Sequence, residues 1–201
     1  MNKTLFSRPV RLTLFQVNSI KFVIHGLASG YLALLFYAGI NDQLGADPVK
    51  ALLHSSGIMA VNLLLFTLAL SQIARRLPCA DIIKLRRMAG VYVFVYALAH
   101  FLTWLAFELQ FAWQMAGAEI VERPYILVGF AALLILLALT VTSPLFIRKK
   151  MRQRWQPLHN TIWAALFLAI LHYTWSLKTG WQEPVFYWLV AGILFSLRYV
   201  R

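Results

Sequence analysis

The sequence predicts an all-α fold: a polytopic membrane protein, a six-transmembrane-helix bundle with cytoplasmic termini. Three observations predict it. Hydrophobic residues make up 61% of the 201-residue chain and charged residues only 13%, about half the charged share of a soluble domain. Six apolar runs approach the roughly 20 residues needed to cross a bilayer. The cations collect on alternate connecting segments. This composition excludes an ordinary soluble enzyme, a disordered chain and a fibrous one. The single cysteine, Cys79, excludes an intrachain disulfide and a cysteine-rich metal site.

The elements follow in chain order. The opening 21 residues are polar and basic; the apolar run behind them is long enough to stay in the bilayer, so no cleavable signal peptide is expected. That run, Phe22–Ile40, is span one. A loop with Asp42, Asp47 and Pro48 leads to span two, Leu52–Ile73, which stops at Arg75 and Arg76. Span three, Met88–Phe107, starts after Lys84, Arg86 and Arg87. Glu108, Glu119, Glu122 and Pro124 separate it from span four, Tyr125–Ile147. The basic stretch Arg148 to Arg154 precedes span five, Leu158–Leu177, and Glu183 precedes span six, Pro184–Tyr199. No internal repeat is evident, and residues 1–201 read as a single domain.

Orientation comes from the charges. Every Lys and Arg except Lys50, Arg123 and Lys178 falls on one side, and every acid except Asp81 on the other. The positive-inside rule makes the basic side cytoplasmic. Topology therefore accounts for the net charge of +12, and nucleic acid is not required.

Ionisable side chains inside a span are costly and point to function. His100 lies 12 residues into span three and His172 14 residues into span five. These spans run in the same direction, so the two imidazoles reach a similar depth in the outer half of the membrane. Two neutral imidazoles on facing helices suit bis-histidine heme iron, because bundle cores hold cofactors between facing helices. Zinc suits the site less well, since it wants four ligands. His25 reads as a packing residue, and His54 sits at the outer end of span two. His159 lies at the cytoplasmic start of span five, 13 residues before His172. Arg87 precedes His100 by the same 13 residues. It is either a positive-inside anchor or a cation for a heme propionate or flavin phosphate. The seven tryptophans read mainly as an interfacial belt.

Four segments add a resemblance. Leu44-Gly-Ala-Asp-Pro-Val-Lys50, Glu122-Arg-Pro-Tyr125, Trp155-Gln-Pro-Leu-His-Asn160 and Leu171-His-Tyr-Thr-Trp-Ser-Leu-Lys178 together resemble the MsrQ family. These are heme-binding membrane subunits of the bacterial periplasmic methionine sulfoxide reductase system, similar in turn to the ferric reductase and NADPH oxidase transmembrane superfamily. The resemblance implies a bacterial inner-membrane protein. It would take electrons from a cytoplasmic flavin reductase or the quinone pool and pass them through b-type heme to a periplasmic MsrP-like molybdoenzyme. That partner would reduce methionine sulfoxide in envelope proteins. The resemblance also implies FMN, and it maps heme ligands onto His100, His159 and His172. Relatives with two hemes carry two histidines on each of two helices, whereas Arg87 stands where the second histidine of span three would be. One or two hemes therefore remain open, with His54 as a possible additional ligand.

The sequence shows no catalytic constellation and no strand-linked glycine motif for a nucleotide, so an electron donor would be a separate molecule. Segments 42–48, 110–123 and 179–184 would offer an acidic outer docking surface. The rival reading is a small multi-pass transporter using intramembrane histidines as proton or substrate groups. An intramembrane protease and a cofactor-free assembly factor are weaker rivals.

Overall fold

The computed structural model describes residues 11–76, 79–177 and 180–199. Lys3, Arg8, Lys178, Thr179 and Arg201 lie outside them. The described residues are helical with no strand. Four helices or helical stretches are long and apolar enough to cross a membrane: 14–40, 48–76, 81–108 and 124–141.

Helix α1 (Leu14–Ile40) begins with a capping box. Thr13 Oγ1 accepts from Gln16 N at 3.2 Å, and Gln16 Oε1 accepts from Thr13 N at 2.9 Å, which satisfies two otherwise orphaned donors. It is peripheral, with Val17, Ala28 and Leu35 its buried residues. Helix α2 (Pro48–Arg76) is central and buries residues along its length. A short 3-10 turn, Ala80–Leu85, leads into α3 (Arg86–Thr103). Asp81, the lone acid of the basic side, accepts from Leu12 N at 2.9 Å and pairs with Lys84 at 2.6 Å, tying the start of α1 to this turn. Helix α3 continues through a π turn, Trp104–Glu108. A surface helix, α4 (Trp113–Glu122), precedes α5 (Pro124–Val141). Pro124 suits the first helical turn, where its missing N–H is no loss.

Two expected spans are interrupted. Span four was expected to run to Ile147, but α5 ends at Val141 and α6 (Leu145–Met151) is separate. Pro144 cannot continue a helix. Thr142 and Ser143 turn their hydroxyls back onto the carbonyls of Ala138 and Leu139, at 2.6 and 2.7 Å. Span five is split into α7 (Trp155–Asn160) and α8 (Ile162–Ser176). Thr161 lies between them and donates to Leu158 O at 2.7 Å. Helix α9 (Gln182–Tyr199) closes the described chain.

The core forms where α2, α3, α5, α8 and α9 meet, around Leu64, Leu68, Val93, Leu136, Leu166, Ile170 and Leu194. Arg76 fastens α2 to α9, donating to Leu197 O at 2.5 Å. At the opposite end Tyr187 OH donates to Asn62 Oδ1 at 3.1 Å, and Tyr173 OH donates to Glu183.

The fold corrects the expectation of no repeat. The hairpin α2–α3 has a counterpart in α5–α8, offset by 72 positions (53 and 125, 57 and 129, 100 and 172). Even side-chain bonds recur at that offset: Ser71 Oγ donates to Thr67 O, and Ser143 Oγ to Leu139 O. Both hairpins run in the same sense, as parallel repeats do.

Candidate functional site

Each hairpin places one histidine near the same end of the bundle, away from the basic turns. His100 comes from α3 and His172 from α8. Their ring centroids lie 6.0 Å apart, with planes crossed at 82°. The depth match expected from sequence thus becomes direct proximity. His100 Nδ1 bonds to Leu53 O at 2.9 Å, and His172 Nδ1 bonds to Tyr125 O at 2.6 Å. A carbonyl can only accept, so each Nδ1 carries the proton and each Nε2 presents its lone pair. A carbonyl on Nδ1 fixes the tautomer and orientation that a metal-binding histidine needs.

Two glycines make room for the rings. A Cβ on Gly57 would meet His100 Nδ1 at 3.0 Å, and one on Gly129 would meet His172 Nδ1 at 2.7 Å. Tyr125 also stacks its ring beside His172, with centroids 6.1 Å apart and planes at 23°.

These residues fit a heme. A metal–imidazole bond is about 2 Å long, so one metal shared by two axial imidazoles holds their centroids roughly 6 Å apart. Two protein ligands complete an iron whose other four nitrogens belong to a porphyrin. Among the described residues no cluster of three or more His, Cys, Asp or Glu could chelate a bare ion.

The other candidates lie elsewhere. His159 is at the opposite end of the bundle, with Nε2 bonded to Thr142 Oγ1 at 3.0 Å. Its ring stacks on Trp155 at 3.9 Å, and the Arg148 guanidinium covers that indole at 4.4 Å. Trp155 Nε1 donates to Thr142 O at 3.0 Å, which anchors the stack to α5. Arg87 holds the position in α3 equivalent to His159 in the repeat, and it is exposed. Its neighbour Arg86 and Arg148 are the arginines whose charges reach His159. His54 is exposed and turns toward Tyr173, at a centroid distance of 6.2 Å. It borders an open cavity of about 370 Å³ shared with Ile58, Gln182, Glu183, Phe186 and Tyr187. His25 Nδ1 bonds to Tyr92 OH at 2.8 Å, in keeping with a packing role.

Sequence reasoning missed Leu53, Gly57, Tyr125, Gly129 and Thr142. The shared 72-residue offset of Gly57/Gly129 and His100/His172 was the signal that would have found the glycines.

Comparison with known proteins identifies the family. The family model described as a ferric reductase like transmembrane component matches residues 56–171. A protein-methionine-sulfoxide reductase heme-binding subunit MsrQ from Salmonella enteritidis PT4 is 39% identical over 195 residues, covering 96% of this chain and 97% of the relative. The protein of that name from Pectobacterium atrosepticum gives the same identity and coverage. The one from Salmonella newport is 39% identical over 193 residues, covering 94% of this chain and 96% of its own. No solved structure matches the chain. The likeness runs through both hairpins from end to end, and the chain belongs to the MsrQ family, with a ferric reductase-like transmembrane domain.

Proposed function

We propose that this chain is the membrane electron-transfer subunit of a methionine sulfoxide reductase system, holding heme b between His100 and His172. The observation that carries the reading is the pair of imidazoles 6.0 Å apart, each with Nδ1 committed to a backbone carbonyl. When bound, the heme supplies a one-electron iron couple. The protein's part is to hold that couple at a fixed place. The Leu53 and Tyr125 carbonyls orient the rings and raise the basicity of Nε2. Phe101 and Phe130, 5.7 Å apart, stand beside His100 and Gly129 in sequence and add apolar bulk that disfavours water.

Electrons enter at the basic end and leave at the acidic end. The donor is a cytoplasmic flavin reductase or the quinone pool; the acceptor is a periplasmic MsrP-like molybdoenzyme acting on methionine sulfoxide. The charge asymmetry supports this direction and a reading with both termini in the cytoplasm of a bacterial inner membrane. On this reading α7 with α8, and α9, complete six crossings of a single domain. His159 stands on the entry side, with Arg86 and Arg87 offering guanidinium groups to a heme propionate or an FMN phosphate. As an axial ligand itself, His159 would first release Thr142. His54 faces the outer cavity, from where it is the reserve outer ligand.

The test is a reduced-minus-oxidised spectrum of the purified holoprotein. Sharp b-type bands are expected in the wild type and their loss in His100→Ala or His172→Ala, since each removes one axial ligand. Normal low-spin heme in either variant overturns the assignment.

A further inference from the structure

We propose that Gly57 and Gly129 are positioning residues that, with the carbonyls of Leu53 and Tyr125, lock the two axial imidazoles in crossed planes. The proposal rests on the reading that His100 and His172 are the axial ligands.

Each socket has two parts, one turn apart on one helix. In α2 the Leu53 carbonyl holds His100 Nδ1 at 2.9 Å, and four residues later Gly57 lies against the same ring. In α5 the Tyr125 carbonyl holds His172 Nδ1 at 2.6 Å, and four residues later Gly129 lies against that ring. An α-helix brings residues four apart onto one face, so the hydrogen bond pulls the ring toward the surface that the glycine leaves bare. A Cβ on Gly57 would stand 3.0 Å from Nδ1 and 3.2 Å from Cε1 of His100. On Gly129 it would stand 2.7 Å from Nδ1 and 2.9 Å from both Cε1 and Cγ of His172. The second set is closer than real contacts allow. The ring must then rotate or withdraw, and either movement breaks the bond that fixes its proton. Glycine on its own proves nothing here: Gly26, Gly30 and Gly192 have open space where a Cβ would go.

What the sockets fix is the 82° angle between the imidazole planes. The π orbital of each imidazole overlaps one of two perpendicular iron d orbitals. Parallel rings act on the same orbital and split the pair. Crossed rings act on one each and leave the pair nearly equal in energy. Ferric iron in such a site gives a strongly anisotropic low-spin resonance dominated by one feature at high g, in place of the spread three-line spectrum of parallel rings. Ring orientation is one of the protein's means of setting the electronic properties of a bound metal.

Electron paramagnetic resonance of the oxidised, detergent-solubilised holoprotein tests this. The wild type is expected to show the single high-g feature. Gly129→Ala is expected to convert it to a three-line spectrum or to high-spin iron, to shift the midpoint potential and to weaken heme retention by about 10-fold. Gly57→Ala should act in the same direction but less, and it serves where Gly129→Ala does not fold. Gly26→Ala should leave spectrum and potential unchanged. A three-line wild-type spectrum overturns the proposal, as does an unchanged spectrum and potential in both socket variants. Low-spin heme surviving in His100→Ala or His172→Ala would instead sink the ligand assignment.

Discussion

His100, His172 and His159 differ in which ring nitrogen they commit. The first two spend Nδ1 on a carbonyl and keep Nε2 for a metal, whereas His159 spends Nε2 on Thr142. That difference gives two separate expectations. His159→Ala should leave the b-type spectrum of the outer site intact while slowing reduction by a flavin reductase in stopped-flow; equal reduction rates would remove His159 from the entry path. Thr142→Val deletes the hydroxyl partner and should cost about 1 kcal/mol in thermal unfolding, again with the outer spectrum unchanged. Counting residues along two parallel helices sufficed to match the histidines by depth. Their partners could not be read that way, because Leu53 and Tyr125 act through backbone carbonyls, which carry no residue identity. Gly57 and Gly129 looked like any glycine in an apolar run until the rings lay against them. Arg86 and Arg87 are adjacent in sequence but about 100° apart around a helix, and sequence spacing gave no reason to prefer the one whose charge acts on His159.

Helix ends were less readable than helix cores. Hydropathy carries Tyr125–Ile147 through Thr142, Ser143 and Pro144, since two small hydroxyl residues barely lower an apolar average. The structure stops α5 there because hydroxyls cap its last carbonyls and Pro144 cannot follow. The split at Thr161 has the same origin, a hydroxyl that takes a carbonyl of the preceding turn. Between α6 and α7 the chain bends at Arg152, whose φ of 50° lies where only glycine is comfortable. Arg152→Gly should therefore raise stability by about 1 kcal/mol, balancing relieved strain against added freedom in the unfolded chain. A lowered melting temperature would mean that Arg152 holds a contact worth more than the strain.

At the scale of the molecule, the charge asymmetry supports the proposed orientation and supplies a direct test. Reporter fusions after α9 should behave as cytoplasmic, with a fluorescent protein bright and alkaline phosphatase inactive, while phosphatase inserted between α1 and α2 should be active. The reverse pattern would invert the electron path proposed above. The helical membrane class was readable because it depends on sums over many residues. The repeated hairpin was harder to read, since only scattered identities such as Gly57/Gly129, Ser71/Ser143 and His100/His172 join its halves.

The duplicated hairpins also set the order of assembly. One half of the clasp is complete once α3 has been synthesised, but its mate arrives only when position 172 has left the ribosome and α8 has folded against α5. On the proposed ligand reading, a nascent chain halted between the two halves carries only one of the two clasp imidazoles and should grip pigment weakly. Loading thus belongs to the end of biogenesis, and a truncation after α5 should accumulate colourless in cells that make ample porphyrin.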